Sequence, residues 1–195
     1  MNRFLLLHGW QNTRPREHWQ HWLADRLRAQ GHQVTYPQLP EPFRPRPAAW
    51  TRAIAEIVAQ PGRWTVICHS LACVAWLHLA AEPMRPVERL VFVAPPSMSF
   101  LAGTPELRDF IAPREVFDRL AGTSVHRPRL VCSDEDPYCR PPAPSSYPNV
   151  FDVNLIKGGG HLDLAAGLHE WPELLRWCHH PHRTITCRLP VPSAR

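Results

Sequence analysis

The 195-residue sequence contains no apolar run that approaches the ~20 residues of a transmembrane helix. The apolar segment near its start, residues 4–7, ends at His8 and is too short for a signal peptide. We therefore expect a cytoplasmic protein that does not bind membranes.

The sequence also contains no block of basic residues, although its formal net charge is +5. Its arginines are scattered, and they are not interleaved with a stripe of aromatic residues as in a nucleic-acid-binding surface. We therefore predict no nucleic-acid partner and interpret the positive charge as ordinary surface charge.

None of the six cysteines forms a C-x-x-C pair. Cys68, Cys73 and Cys132 lie in apolar segments, where a thiol packs as a small hydrophobic group. Residue types that bind zinc occur near the C-terminus: Cys178, His179, His180, His182 and Cys187. Because their spacing matches no structural zinc site, we predict neither a metal nor a cofactor.

Repeats and low-complexity linkers are absent, and apolar strand patterns alternate with helical patterns. The pattern predicts strands at 3–7, 33–37, 64–68, 90–94, 129–132 and 150–156, and helices at 18–30, 48–59, 71–80 and 171–178, with one or two more at 105–120. Such alternation is typical of a three-layer α/β/α sandwich with a mostly parallel sheet. We predict one domain over residues 1–177 and a loosely ordered tail over 178–195.

Polar or glycine-containing segments follow four of the predicted strands: 8–10, 69–71, 133–137 and 158–161. In a parallel sheet, the loops that follow the strands lie at one edge, where ligand sites form. Together the segments contain a hydroxyl, acidic groups and an imidazole. Their chain order Ser, Asp, His is that of an α/β-hydrolase.

These residue types point to acyl transfer. A serine hydroxyl, Ser70, needs a base to take its proton, and His161 can act as that base near neutral pH. A carboxylate, for which Asp136 is the candidate, would fix the tautomer of the imidazole. Backbone N–H groups of Trp10 and Leu71 are the candidate donors to the developing oxyanion.

Simpler interpretations exist for two of these residues. Ser70 could be an ordinary helix N-cap, and His161 could be a structural histidine. Each explains one residue but not the convergence of four loops.

The acid is the least certain of the three residues, since Asp134 and Glu135 are adjacent to Asp136. We favour Asp136 because Pro137 restricts it to an extended or turn conformation and so separates it from the strand.

Other residues near these motifs have two interpretations. His69 is expected to point away from the nucleophile. His18, Trp19, His21 and Trp22 either border a pocket or, as we favour, form a core stripe with two solvated histidines. Residues 97–110 form either an apolar wall of the pocket or a surface helix, and the sequence does not decide between them.

Four segments, LLLHGWQNTRPREHWQHWL, CHSLAC, SDEDPYC and GGGHLD, resemble the small serine hydrolases related to retinoblastoma-binding protein 9, including bacterial YdeN-like esterases. The resemblance covers residues 1–177. It implies an α/β-hydrolase domain without a large cap, with Ser70, Asp136 and His161 at the triad positions and the oxyanion turn at 8–10. The sequence departs from the usual G-x-S-x-G by carrying Cys68 and Ala72, and its segment RPPAPSSYP is short where the family carries a helix.

We therefore predict a serine hydrolase that cleaves a small-molecule carboxylic ester, with amides as a second substrate class, through an acyl-enzyme. The alternative is a non-catalytic protein-binding module on a drifted hydrolase fold. Substrate identity and oligomeric state are left open by the sequence.

Overall fold

A six-stranded parallel sheet forms the centre of the computed structural model, which describes residues 2–147 and 150–189. Its strands are β1 Arg3–Leu7, β2 Gln33–Thr35, β3 Trp64–His69, β4 Arg89–Val93, β5 Arg129–Ser133 and β6 Asp152–Ile156. Their order across the sheet is β2-β1-β3-β4-β5-β6. The order reverses between β1 and β3, and such a reversal is where open α/β sheets place their ligand sites.

Seven α-helices connect or flank the strands in the part of the chain described. They are α1 Trp19–Ala29, α2 Pro47–Val58, α3 Leu71–Ala80, α4 Met98–Gly103, α5 Val116–Leu120, α6 Ala143–Ser146 and α7 Pro172–His179. Short 3₁₀ helices occupy Pro105–Phe110 and Ala121–Thr123.

Both faces of the sheet are covered, so the central strands are almost continuously apolar. Every residue of β3 is buried. On one face the core contains Trp50 of α2 and Trp76 of α3, and on the other it contains Trp19 of α1 and Leu174 of α7. This arrangement confirms the predicted three-layer α/β/α fold.

At residues 105–120, where one or two helices are predicted, the structure has the 3₁₀ helix Pro105–Phe110 and the short helix α5. An additional helix, α4, begins after Ser97, whose side chain accepts a hydrogen bond from the backbone N–H of Phe100 at 3.2 Å. Pro105 and Pro113 then divide the rest of the segment, because proline cannot donate within a helix. A short helix, α6, also forms at Ala143–Ser146.

Packing continues beyond the predicted domain end at Trp177. Helix α7 extends to His179, Ile185 is 1% exposed, and the Trp171 indole donates to the carbonyl of Thr186 at 2.8 Å. The expectation of a loose tail is therefore wrong for residues 178–189, because aromatic residues of α7 and the preceding turn hold that segment. Residues 190–195 of the predicted tail lie outside the described residues.

No helix in residues 2–147 and 150–189 has the length and apolar character that crossing a bilayer requires.

Candidate active site

Ser70 occupies the sharp turn between β3 and α3. Its φ of 56° and ψ of −125° lie in a strained region for a non-glycine residue, which costs about 1–3 kcal/mol. Its backbone N–H donates to Val93 at 2.9 Å, but its side chain makes no capping hydrogen bond to α3. The helix-cap interpretation of Ser70 is therefore wrong. The turn instead presents the hydroxyl at the end of the sheet.

Three side chains from separate loops form one hydrogen-bonded chain. The Ser70 Oγ lies 2.8 Å from Nε2 of His161, and Nδ1 of His161 lies 2.9 and 3.0 Å from the two carboxylate oxygens of Asp136. Because a carboxylate only accepts, Nδ1 carries the imidazole proton and Nε2 is left to accept from Ser70. The structure thus brings together the three residues that the sequence singled out.

The geometry also separates Asp136 from its acidic neighbours. Asp136 is 2% exposed, whereas Asp134 and Glu135 are exposed. One carboxylate oxygen of Asp134 accepts from the backbone N–H of Gly158 at 2.8 Å, so this side chain supports the loop before His161 instead of contacting the imidazole.

The loop before His161 depends on glycine. Gly158 and Gly160 have φ values of +65° and +51°, a left-handed conformation that costs glycine little. These two positions let the chain leave β6 and return over the sheet edge towards Ser70.

The segment after β1 approaches the nucleophile closely. A Cβ atom at Gly9 would lie 2.6 Å from Cβ of Ser70, so only glycine fits there. Cys68 and Ala72 of the nucleophile turn are both fully buried in the core on the α2 and α3 side of the sheet. The larger Cys68 therefore packs into the core and is accommodated in the turn.

Two backbone N–H groups beside Ser70 have no acceptor among the described residues: those of Trp10 and Leu71. Leu71 is the first residue of α3, where the helix dipole favours negative charge. Both residues line the same cavity as Ser70.

His8 fixes the direction of the Trp10 N–H. Its Nε2 accepts from the backbone N–H of Leu39 at 2.8 Å, so Nδ1 carries the proton and donates to the carbonyl of Gly9 at 2.8 Å. Burial lowers the pKa of His8 to about 4, which keeps the ring neutral. That carbonyl and the Trp10 N–H belong to one trans peptide and point in opposite directions. Anchoring the carbonyl therefore orients the N–H.

Two further histidines border the site in the neutral state. Burial is the main cause that lowers the pKa of His18 to about 3, and it also lowers the pKa of His69. His69 makes its hydrogen bond to the carbonyl of His161, at 3.1 Å, away from the nucleophile. His18 is 2% exposed and lines the cavity, so the expectation of a solvated histidine is wrong at this position. Its ring packs against Trp19 and His69, with centroids 5.4 and 5.5 Å away, and its Nδ1 accepts from the backbone N–H of Gln20 at the start of α1.

Tyr138 is a site residue to which the sequence analysis assigned no role. Its ring contacts His161 edge-on, with centroids 4.5 Å apart, and its backbone N–H donates to Asp136 at 2.9 Å. The D-P-Y motif placed Tyr138 two residues after the acid, but the direction of its ring depends on the turn at Pro137.

A cavity of about 320 Å³ opens above Ser70 and His161. Phe100 and Leu107 line it together with Tyr138. Residues 97–110 therefore contribute an apolar wall, which settles the alternative that the sequence left open.

Within residues 2–147 and 150–189, no three or more His, Cys, Asp or Glu side chains are grouped so that they could hold a metal ion.

Solved structures with the same fold include the ydeN gene product of B. subtilis. It is 19% identical with a TM-score of 0.77, and the match covers 92% of this chain and 98% of the other. A protein described as a YdeN-like hydrolase from Pectobacterium atrosepticum is 20% identical with a TM-score of 0.66, over 92% and 90% of the two chains. An esterase domain from Rhodothermus marinus is 14% identical with a TM-score of 0.59, over 82% and 78%.

At these identities the structural matches establish the fold alone, and no curated protein sequence matches the chain. The sequence model of one protein family, described as serine hydrolase, matches residues 4–179. That range contains the Ser70 turn and the loops of Asp136 and His161. The chain thus belongs to this serine hydrolase family and is a hydrolase of the α/β-hydrolase fold.

Proposed function

We propose that this hydrolase cleaves carboxylic esters through an acyl-enzyme, with Ser70 as nucleophile, His161 as general base and Asp136 as the residue that orients His161. The observation that carries the proposal is the 2.8 Å contact between Ser70 Oγ and Nε2 of His161, with Asp136 on the other ring nitrogen. The alignment of these groups matches what nucleophilic catalysis by serine requires.

In acylation, Ser70 Oγ attacks the ester carbonyl while Nε2 of His161 takes the hydroxyl proton. The carbonyl oxygen becomes an oxyanion, and the N–H groups of Trp10 and Leu71 donate hydrogen bonds to it. His161 then gives its proton to the departing alcohol, and the acyl group stays on Ser70. Asp136 stabilises the imidazolium that exists between these two proton transfers.

In deacylation, water takes the place of the alcohol. His161 accepts a proton from water as the water oxygen attacks the acyl carbonyl, and it returns that proton to Ser70 when the carboxylic acid leaves. Amides follow the same steps, but an amine must be protonated before it can leave. Esters are therefore the first substrate class to assay.

The alternative of a non-catalytic binding module on this fold has weaker support. In a hydrolase fold that has lost its catalytic activity, we would expect the contact between nucleophile and base to be lost first. Here the turn at Ser70 is strained and its hydroxyl is aimed at His161, which favours a reactive serine.

A fluorophosphonate probe tests the proposal directly, because it phosphonylates serines that a neighbouring base activates. We expect labelling at Ser70 in the wild-type chain, measured by mass spectrometry of the labelled peptide. The variant His161→Ala should lose labelling although Ser70 is present, and Ser99→Ala, an exposed hydroxyl, should keep it. An unlabelled wild-type chain that is folded would favour the binding module.

His8 gives a second test, which concerns the oxyanion donors. The variant His8→Phe removes the bond to the Gly9 carbonyl, so the Trp10 N–H loses its fixed direction. We expect kcat to fall by about 10- to 100-fold with little change in KM, somewhat less than complete loss of one oxyanion donor. The measurement is steady-state hydrolysis of a p-nitrophenyl ester.

His78→Phe is the matched control for His8→Phe. His78 also bonds a backbone carbonyl, that of Phe110 at 3.1 Å, but it lies outside the catalytic cavity. Its variant should keep kcat. A folded His8→Phe protein with wild-type kcat would contradict the role given to His8.

A further inference from the structure

The cavity above Ser70 is poor in positive charge. Of the residues described, no arginine or lysine lines it, although the chain has 22 such residues against 17 aspartates and glutamates. One acidic side chain, Asp163, lines the cavity, and the buried carboxylate of Asp136 lies behind His161. The charged side chain that lines the cavity is therefore opposite in sign to the net charge of the protein.

The carboxylate of Asp163 accepts a hydrogen bond, but it has no positively charged partner in the part of the chain described. One oxygen accepts from the backbone N–H of Ala166 at 3.1 Å, and the Asp163 carbonyl accepts from Leu168 at 3.0 Å. Within the described ranges, no arginine, lysine or histidine lies within ion-pair distance of this carboxylate. The side chain is half-buried, so solvent screens its charge only in part.

The other groups that line the cavity do not oppose a cation. His18 and His69 are neutral because burial lowers their pKa values, so they do not offset the acid. The aromatic rings of Trp10, Phe100 and Tyr138 line the same cavity. Aromatic faces attract ammonium groups, and proteins use them to recognise quaternary ammonium ligands.

The position of Asp163 also indicates which part of the substrate it meets. It follows His161 in the same loop, separated by buried Leu162. His161 is the residue that hands a proton to the leaving alcohol, whereas the oxyanion donor Trp10 comes from the loop after β1. Because Asp163 follows His161 in the same loop and lines the same cavity, we place it on the side from which the alcohol leaves.

We propose that Asp163 selects esters whose alcohol part carries a permanent or protonated ammonium group. This inference rests on the proposed function and adds a substrate class to it. The carboxylate would pair with the ammonium while the ester carbonyl lies against Ser70, and the aromatic rings would cover the methyl or methylene groups around the nitrogen.

Two esters of equal shape isolate the charge: acetylcholine and its neutral carbon analogue, 3,3-dimethylbutyl acetate. We expect kcat/KM to be about tenfold higher for the cationic ester, as for a partly screened ion pair aided by aromatic contacts. In Asp163→Asn, which keeps the acceptor for the Ala166 N–H, the ratio of the two kcat/KM values should fall towards one. Asp163→Glu should restore part of it.

The matched control is Asp118→Asn, which removes the same charge from an exposed position on α5 away from the cavity. It should leave the ratio unchanged. If the ratio is near one in the wild type, or survives in Asp163→Asn, the inference is overturned while esterase activity stands.

A binding readout keeps the inference testable if neither ester is turned over. Choline should slow fluorophosphonate labelling of Ser70 more than 3,3-dimethylbutanol does at equal concentration, and Asp163→Asn should abolish the difference. Equal protection by the two alcohols overturns the inference alone. No labelling of Ser70 at all overturns the proposed function and this inference with it.

Discussion

Replacing Ser70 with alanine will lower kcat for a short-chain p-nitrophenyl ester by about 10⁶-fold, to the level that binding and oxyanion donors alone supply. In the proposed mechanism the hydroxyl oxygen attacks the carbonyl, and without it no acyl-enzyme can form. His161 cannot compensate, because its Nε2 then faces a methyl group. The measurement is initial rate with the uncatalysed hydrolysis subtracted.

The fold of the Ser70→Ala variant should be unchanged, since the Ser70 side chain contributes no cap to α3 and the turn is held by the backbone bond to Val93. Thermal unfolding close to that of the wild type checks this point. Ser99→Ala, at an exposed position near the cavity, should keep full activity. Substantial activity in Ser70→Ala, with a probe attached to another serine, would show that the nucleophile has been misassigned.

The central strands could be predicted from the sequence because both faces of the sheet are buried. Apolar runs such as residues 64–68 can satisfy burial on two sides only as interior strands, and the structure places β3 at Trp64–His69. Strand β2 is shorter than predicted, Gln33–Thr35, because it lies at the sheet edge with a single partner.

The convergence of Ser70, Asp136 and His161 could also be predicted, since it follows from topology: parallel strands deliver their following loops to one edge. The contacts of His8, Tyr138 and Asp163 could not. Each depends on side-chain direction or tautomer, which is set by partners distant in sequence, such as the Leu39 N–H that fixes the His8 ring.

The packing of residues 178–189 could not be predicted either, because it also depends on partners distant in sequence. The segment CHHPHRTITC has no helical or strand period, so nothing local predicts its order. It is held by tertiary contacts, among them the Trp177 indole donating to the carbonyl of Pro181 at 3.0 Å and the burial of Ile185.

The second large effect on kcat is expected at Asp136, the proposed acid of the triad. In Asp136→Asn the amide nitrogen can donate to Nδ1 of His161, which favours the tautomer with its proton on Nε2. That nitrogen can then no longer accept from Ser70, so we expect kcat to fall by about 10⁴-fold while the protein stays folded. Steady-state rates and thermal unfolding measure the two effects.

Asp134→Asn is the matched control, because it makes the same chemical change two residues away. An asparagine there can still accept from the backbone N–H of Gly158, so the loop before His161 keeps its support. We expect kcat to change by less than about threefold, the range of ordinary surface substitutions. If Asp134→Asn proved the crippling variant and Asp136→Asn the mild one, the carboxylate that orients His161 would have to reach it from the other side of the turn, and the contact at 2.9 Å would not be the catalytic one.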